Sequence, residues 1–331
     1  MDKDTKRTTI YDLARLAEAS PSAVSSVLNG TWEKRRISKK LAARVMGLAE
    51  AQGYSVNVQA SLLRRERSNI VGMIVPKYDN RYFGAISEQF EEMARARGLF
   101  PIITCTQRDP ALEFEAAREM ISHRVECLIS TGATDPDRIS AFCAASGVQS
   151  INLDLPGTLA PSIISDNYTA ARDLTAHILH QWPHGPLHFI GGRLSDHNTA
   201  NRLTGFQDAH KQLGMTVPTT HILASGYSAQ KAHAALAGLL PGGPLGLFVN
   251  STIALEGVMR WYSDLSPAQA QAIRFGCFDW DAFGRFLPGN LAMVEQDVPA
   301  MLVAAFALIG QDAPHAQVLV PCILRKINTS A

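Results

Sequence analysis

Two short helical patterns, separated by a sharply placed break, dominate the first thirty residues of the sequence. Apolar residues recur at helical spacing over residues 10–17 and again over residues 23–28. Ser20 followed by Pro21 is typical of a helix start, because the serine hydroxyl caps the first turn and proline tolerates the first helical position. Two short helices joined by a tight turn predict a helix-turn-helix, whose second helix enters the DNA major groove.

A third helical pattern and a concentration of positive charge complete this N-terminal segment. The pattern begins with Ser38 as N-cap and ends at Gly53, and its apolar face is predicted to close a three-helix core. Residues 1–67 hold 13 Lys and Arg against 7 Asp and Glu, a net charge of +6, whereas the whole chain is only +1. This asymmetry favours a phosphate-binding head, and the alternative is a solvated basic helical hairpin.

From residue 70 onward, apolar runs bounded by breakers alternate with amphipathic segments. This alternation predicts parallel sheets with right-handed crossovers, and it runs through two similar halves. The predicted strands are 70–75, 102–105, 125–130, 149–153, 187–190, 222–223, 245–249, 273–278 and 292–295. The predicted helices include residues 86–94, 112–121, 139–145, 170–179, 201–213, 229–240 and 253–261.

The length and composition favour a water-soluble protein of two or three domains. The 331 residues are 46% hydrophobic and 18% charged, and no run is long enough for a transmembrane helix. Residues 1–7 are short and charged, so neither a signal peptide nor a membrane anchor is expected. Cysteines 105, 127, 143, 277 and 322 are odd in number and unpaired in spacing, which predicts reduced thiols and a cytoplasmic location.

Three motifs in the head and hinge resemble the lactose/galactose repressor (LacI/GalR) family. They are Tyr11-Asp-Leu-Ala14, Ser20-x-x-x-Val24-Ser25-x-Val27-Leu-Asn29, and Gly53-Tyr54-x-x-Asn57-x-x-Ala60-x-x-Leu63. The loop over residues 29–38 resembles the fructose and sucrose repressor branch. The resemblance implies an all-α helix-turn-helix head at 1–56, a hinge helix and linker at 57–68, and a two-lobed effector-binding and dimerisation domain at 69–331. This last domain resembles periplasmic binding proteins and consists of two doubly wound parallel-sheet halves.

The resemblance also implies which residues contact DNA, with Leu63 as an apolar wedge and Ala60 as the small residue that allows close approach to the minor groove. Three positions depart from the family pattern: Glu18 stands where the turn usually has glycine, Val56 replaces a common proline, and Ser26 replaces a long polar side chain. The predicted DNA-binding residues are Thr9, Tyr11, Ser20, Pro21, Ser22, Ser25, Ser26, Asn29, Arg36, Ser38, Asn57, Ala60 and Leu63.

Polar residues at strand ends are the candidates for an effector site, because ligands of such folds lie at the carboxyl ends of strands. Arg202 matches the family stretch in which an arginine binds the effector, although it could be a helix-surface charge. Asp279 could instead be a helix N-cap or turn residue, and Tyr82 and Phe83 could be core residues at a helix start. The predicted effector-binding residues are Asn80, Tyr82, Phe83, Asp154, Arg202, Asn250, Asp279 and Gln296.

Patterns for catalysis and metal binding fail on inspection. His177, His180, His184 and His188 suggest a metal cluster, but Gly185-Pro186 breaks the helix before His188, and scattered exposed imidazoles are expected. There is no phosphate loop ending in Gly-Lys-Ser/Thr and no nucleophile elbow. We therefore expect no enzyme activity, no metal and no cofactor.

The sequence as a whole predicts a homodimeric repressor of a carbohydrate-utilisation operon. Its partners are expected to be operator DNA and a sugar or sugar phosphate in the interlobe cleft that changes operator affinity, with no membrane involved. A solute-binding or sugar-processing protein of the same α/β fold is one alternative. A regulator that uses its ligand as co-repressor or for activation is another.

Overall fold

The chain divides into two compact units, Met1–Ser68 and Asn69–Ala331. The predicted hinge residues Asn57, Ala60 and Leu63 lie outside the residues that the structure describes. The structure is a computed structural model that describes residues 8–54, 67–239, 243–313 and 315–327.

Three helices form the first unit, and each begins at a hydroxyl N-cap. The caps are Thr9, Ser20 and Ser38, whose side chains accept hydrogen bonds from backbone N–H groups of the first turn. Leu13 and Val24 are fully buried between the helices. The helices are α1 (Ile10–Leu16), α2 (Pro21–Leu28) and α3 (Lys39–Ala51), as the helix-turn-helix pattern predicts.

The turn between α1 and α2 places Glu18 in the left-handed region, with φ of +49°. A residue with a Cβ atom is strained there by about 1–2 kcal/mol, which explains why glycine suits this position. The Glu18 carboxylate lies 3.3 Å from the Arg44 guanidinium, which also donates to the carbonyl of Leu16 at 3.4 Å. This ion pair between the turn and α3 offsets part of the strain.

Two six-stranded sheets define two lobes in the second unit. The strands, numbered along the chain, are β1 (Ile70–Val75), β2 (Phe100–Cys105), β3 (Cys127–Thr131), β4 (Gln149–Leu153), β5 (Ser162–Ser165), β6 (His188–Ile190), β7 (Ile222–Leu223), β8 (Leu245–Val249), β9 (Ile273–Phe278), β10 (Asn290–Glu295), β11 (Gln317–Val320) and β12 (Ile323–Lys326). The first lobe has the order β11-β5-β4-β3-β1-β2, and the second has the equivalent order β12-β10-β9-β8-β6-β7. All neighbours pair parallel except β10 and β12, which are antiparallel.

Helices cover the faces of both sheets. In the first lobe the rings of Phe90 and Phe306 stack at 5.7 Å, and in the second lobe Phe189, Phe206 and Phe248 pack together without exposure. The helices are α4 (Arg81–Ala96), α5 (Pro110–Ser122), α6 (Pro136–Ala145), α7 (Asn167–Gln181), α8 (His197–Gln212), α9 (Ala229–Ala237), α10 (Thr252–Ser263), α11 (Pro267–Gln271) and α12 (Val298–Leu308), with short 3₁₀ turns at Thr219–His221 and Ala282–Phe286.

The chain crosses between the lobes three times, after β5, after β10 and between β11 and β12. The carboxyl ends of most strands therefore meet in the space between the two sheets. This arrangement confirms the predicted fold class of a helix-turn-helix segment followed by two parallel-sheet halves. None of the described helices combines the length and the apolar content needed to cross a membrane. All five cysteines are free thiols.

Candidate functional site

A cavity of about 620 Å³ lies between the two lobes, where loops follow the carboxyl ends of their strands. Its lining is mixed, with cationic, anionic, aromatic and small polar side chains from both sheets. The predicted effector residues that line it are Asn80, Tyr82, Phe83, Asp154, Arg202, Asp279 and Gln296.

Asp154 stands directly after β4 and is bonded by residues from both lobes. Its Oδ1 accepts hydrogen bonds from the Tyr82 hydroxyl and from the Asn198 amide, each at 3.1 Å. Burial raises the pKa of the Asp154 carboxyl, while the positive charges of Arg108 and Arg202 act in the opposite direction. The site therefore holds a carboxylate whose desolvation is only partly compensated by the protein.

Asp279 stands directly after β9, and its carboxylate is held by residues at the points where the chain crosses between the lobes. Its Oδ1 accepts a 2.6 Å hydrogen bond from Gln296 Nε2, and Gln296 Oε1 in turn accepts from the Ser165 hydroxyl at 2.8 Å. Burial raises the pKa of Asp279, and the nearby Arg202 charge opposes this shift. Gln296 thus orients one of the carboxylates that faces the cavity.

Arg202, on α8, is near enough for its charge to act on both carboxylates, and it is held by neutral groups. Its Nε donates to Asn167 Oδ1 and its Nη1 donates to the Asn250 carbonyl, both at 2.7 Å. The guanidinium carbon lies 3.6 Å from the centre of the Phe278 ring. Only two of its five N–H groups are used in this way, and among the described residues no carboxylate comes within 4.0 Å of it. The remaining donors of this buried cation are available to a ligand.

The start of α4 supplies the aromatic wall of the cavity. Asn80 is the N-cap of this helix, and its Oδ1 accepts from the backbone N–H groups of Tyr82 and Phe83 at 2.9 and 3.4 Å. The two rings lie 5.0 Å apart and are tilted by 56°. Phe83 also belongs to the core of the first lobe, so it is both a core residue and part of the cavity lining.

The structure places Asn250 behind the cavity rather than in its lining. The side chain is fully buried, and its Nδ2 donates to the Thr199 hydroxyl at 3.4 Å. Its backbone carbonyl positions Arg202, and the next residue, Ser251, reaches the cavity instead. The geometry therefore favours an indirect role for Asn250.

Several cavity residues were missed by reasoning from the sequence, and Arg108 is the most informative. It follows β2, and its guanidinium lies 5.8 Å from the Phe83 ring and 5.9 Å from the Tyr227 ring of the opposite lobe. Gln107 and Arg108 both have left-handed backbones, with φ of +55° and +57°. A polar pair directly after a predicted strand was the available signal. Other lining residues of this kind are Lys77, Thr134, Arg193, Ser195, Asp196, His197 and Asn198.

The histidine-rich segment does not form a metal centre. His188 is buried on β6 and its ring stacks on His221 at 3.7 Å, which corrects the expectation of an exposed imidazole at this position. Burial lowers the pKa of His188 to about 4, so the ring is neutral at pH 7. No group of three or more metal-ligating side chains occurs in the described parts of the chain.

In the first unit, most of the predicted DNA-binding residues lie on the surface. The exposed ones include the start of α2, where the Ser20 and Ser22 hydroxyls lie 3.1 Å apart. Ser25 and Asn29 are half-buried, and the Asn29 amide donates to the Ser25 carbonyl at 2.7 Å. The exposed residues of this set are Thr9, Tyr11, Ser20, Pro21, Ser22, Arg36 and Ser38.

Ser26 is placed differently from the sequence-based expectation. It is only 8% exposed, and its hydroxyl donates back to the Ser22 carbonyl at 2.8 Å. A serine is too short to reach past its own helix from this position, so the structure does not favour Ser26 as a DNA contact.

Comparison with known proteins assigns the family. Residues 68–260 match the family described as periplasmic binding proteins and sugar binding domain of LacI family. The chain belongs to the LacI family. The LacI-family chain is 59% identical to the ribitol operon repressor of Klebsiella aerogenes over 193 residues, which are 57% of this chain and 72% of that protein. It is 30% identical to the sucrose operon repressor of Klebsiella pneumoniae over 319 residues, covering 93% of this chain and 92% of the relative.

A solved structure supports the same fold for this LacI-family chain. The lac repressor dimer bound to operator and the anti-inducer ONPF superimposes with a TM-score of 0.80 at 21% identity, covering 98% of this chain and 99% of that one. Together these relatives make the chain a DNA-binding transcription repressor of the LacI family rather than an enzyme.

Proposed function

We propose that this protein represses an operon for polyol or sugar utilisation, and that a small polyhydroxy effector in the cleft controls its affinity for the operator. The relatives named after the ribitol and sucrose operons support this substrate class. In this proposal residues 1–56 bind DNA, residues 57–68 form the hinge, and residues 69–331 bind the effector and form a homodimer. The protein would act in the cytoplasm.

The observation that carries the proposal is the set formed by Asp154, Arg202 and Asp279. Two carboxylates supply acceptors and one guanidinium supplies unused donors. Asp154 and Arg202 are buried, Asp279 is half-buried, and all three line one cavity. Adjacent hydroxyl groups both donate and accept, so a polyhydroxy chain satisfies the two kinds of group at once. An apolar ligand would offer no partner to the remaining N–H donors of the buried Arg202, which is costly.

Pentitols and pentuloses are our first candidate effectors, because the chain is similar to the ribitol operon repressor. The aromatic wall of Tyr82 and Phe83 suits the apolar face of such a molecule. Arg108 and Lys77, on the outer loops of the first lobe, add positive charge to the lining, so phosphate esters belong in the same test.

Control of DNA binding follows from the position of the site between the lobes. A ligand that contacts Tyr82 and Asp154 in one lobe and Arg202 and Asp279 in the other binds unequally to different lobe spacings. We infer that the spacing with the higher effector affinity sets the separation of the two heads in a dimer. The exposed residues Ser20, Pro21 and Ser22 would then enter the major groove in both half-sites or in neither.

The proposal is tested in two steps with the full-length protein. First, thermal stability is measured with ribitol, other pentitols, pentuloses, fructose, sucrose and their phosphates. A ligand present at 100 times its Kd stabilises the native state by about 2.7 kcal/mol, which is readily measured. Second, operator DNA is selected from a random library, and its affinity is measured by fluorescence anisotropy with and without the stabilising compound.

We expect one compound class to raise the melting temperature and to change operator affinity at least tenfold. Stabilisation by no polyhydroxy compound would contradict the assignment of the cleft. Stabilisation without any change in operator affinity would separate ligand binding from DNA control and contradict the regulatory part.

A further inference from the structure

We propose that the ion pair between Arg81 and Asp281 is a positioning contact that holds the effector cleft closed and slows effector release. Arg81 is the first residue of α4 in the first lobe, and Asp281 follows β9 in the second lobe. Arg81 Nε lies 2.8 Å from Asp281 Oδ2, and its guanidinium carbon lies 5.5 Å from the centre of the Phe283 ring. The pair therefore joins the two lobes directly. The identity of the ligand in this inference rests on the proposed function, whereas the contact between Arg81 and Asp281 is independent of it.

Each member of the pair is adjacent to residues that line the cavity, although neither lines it. Arg81 stands between Asn80 and Tyr82, and Asp281 lies two residues beyond Asp279. A bond between them fixes the distance between the start of α4, which carries Tyr82, and the segment after β9, which carries Asp279. Arg81 and Asp281 thus act on the effector through their neighbours.

The carboxylate is the fixed partner and the arginine is the movable one. Asp281 Oδ1 accepts from the backbone N–H of Phe283 at 2.8 Å, and its side chain is 20% exposed, against 60% for Arg81. Among the described residues Arg81 has no second carboxylate within 4.0 Å. When the lobes move apart, the arginine side chain loses its partner to solvent while Asp281 keeps its backbone bond. The ion pair consequently exists in one lobe spacing only.

A contact that forms in one spacing only shifts the equilibrium toward that spacing. An effector that touches both lobes does the same, so the ion pair and the effector stabilise each other by linkage. Tyr82 and Asn198, from opposite lobes, already meet on Asp154, which shows that the lobes are close enough for such coupling. Because the pair is partly exposed, its effect on the equilibrium is expected to be at most about fivefold.

An alternative is that the pair is an ordinary surface contact with no effect on the cleft. The chain contains a matched control for this alternative, since Arg95 forms an ion pair with Glu91 on the same helix. Arg95 is 64% exposed, close to the value for Arg81, but both members of this pair belong to one helix of one lobe. Removal of the Arg95 charge tests for general effects of losing an arginine from α4.

The experiment is a double-mutant cycle with Arg81→Gln, Asp281→Asn and the double variant, and with Arg95→Gln as the control. Asn at 281 keeps an oxygen for the Phe283 N–H, so the 3₁₀ turn retains its cap. Hydrogen exchange is followed by mass spectrometry in the ligand-free protein, over peptides that cover residues 76–83 and 277–286. This readout needs no effector. Dissociation of ribitol is measured separately by a chase experiment.

Both single variants are expected to exchange up to about fivefold faster in both peptides, and the double variant no faster than either one. The differences should shrink in 1 M NaCl, because screening weakens a partly exposed pair. Ribitol should leave the variants faster than the parent, with Arg95→Gln like the parent. Parent-like exchange in the single variants, or additive effects in the double variant, would overturn the inference. If ribitol does not bind the parent, ribitol is excluded as the effector, while the exchange data still decide the role of the pair.

Discussion

Asp154 and Asp279 occupy equivalent positions in the two lobes and have almost the same unusual backbone conformation. Each directly follows the strand that lies third in its sheet, counted from β11 or from β12, and their φ values are +74° and +72°. Such angles cost a residue with a Cβ atom about 1–2 kcal/mol, although Asp tolerates them better than most. The strain recurs in both halves of the repeat, at two of the acidic residues that line the cavity. We take it as the backbone requirement for aiming two carboxylates at one ligand.

Asp279→Asn is expected to stabilise the protein at pH 7 while weakening effector binding. Burial raises the pKa of Asp279, so the folded state keeps this proton to a higher pH than the unfolded state does. Stability therefore falls as the pH rises from the ordinary value of 3.8 through the raised pKa, and the full penalty is present above that raised pKa. The neutral amide escapes this penalty. The melting temperature should rise by about 2–4 °C for each kcal/mol recovered, and the gain should shrink toward pH 4.

Asp137→Asn provides the contrasting control. Burial tends to raise the pKa of Asp137, but hydrogen bonds from Thr158 and Leu159 outweigh this effect and leave the pKa lowered. Its carboxylate therefore stabilises the folded state above the ordinary pKa, and the Asn variant should melt below the parent at pH 7. If both variants changed the melting temperature in the same direction, the opposite pKa shifts assigned to Asp279 and Asp137 would be contradicted.

Arg202→Ala is expected to abolish the effector response while leaving operator affinity nearly unchanged. The methyl group offers no donors, and two or more charge-assisted hydrogen bonds would be lost, so effector affinity should fall about a hundredfold or more. Isothermal titration calorimetry measures the affinity, and thermal melting checks that the fold is retained. Arg202→Lys keeps the charge but not the planar fork, and should recover only part of the affinity.

Arg193→Gln is the control for that experiment, since Arg193 lines the same cavity from an exposed position. Its nearest carboxylate is Asp196 at 4.0 Å, so the variant should lose little stability. Normal effector affinity in Arg202→Ala would remove this arginine from the site and leave Asp154 and Asp279 without their proposed counter-charge.

The parallel sheets could be predicted from the sequence because their strands are uninterrupted apolar runs. Residues 70–75 and 245–249, for example, form strands with the predicted bounds. Strand β5 was missed because Ser162 and Ser165 bound a run of only two apolar residues, and tertiary contacts satisfy both hydroxyls. Helix α12 was missed for the opposite reason, since its sequence is apolar on nearly every side and shows no helical period.

The candidate site could be predicted in part because strand ends position Asp154 and Asp279 by topology alone. The role of Asn250 could not, because the same strand end can present either a side chain or a backbone carbonyl to Arg202. The contact between Arg108 and Tyr227 joins residues from different lobes. A single sequence does not show which residues of the two lobes face each other. Contacts of this kind depend on how the two sheets are packed.

Glu18→Gly is expected to stabilise the head, and Glu18→Ala to destabilise it. Both variants lose the ion pair with Arg44, which is exposed and contributes at most about 1 kcal/mol. Only glycine also relieves the left-handed strain at φ of +49°. The glycine variant should therefore be more stable than the alanine variant by about 1 kcal/mol. Hydrogen exchange of the α1 and α2 amides in the full-length protein measures the difference, and equal protection would contradict the strain at this turn.

Operator binding is expected to weaken steeply with salt, and Arg36→Gln to reduce that dependence. Residues 1–67 carry a net charge of +6, and Arg36 is exposed in the loop before α3. Each phosphate contact contributes about −0.9 to the slope of log K against log salt, so the loss of one contact should make the slope shallower by about that amount.

Arg15→Gln is the matched control, because Arg15 is exposed on α1 and lies 3.2 Å from Asp12. Anisotropy titrations between 50 and 300 mM KCl (roughly the range in which counterion release dominates) give the slopes. A flat response of the parent protein would count against DNA binding through this segment, and equal slopes for Arg36→Gln and the parent would remove Arg36 from the phosphate contacts.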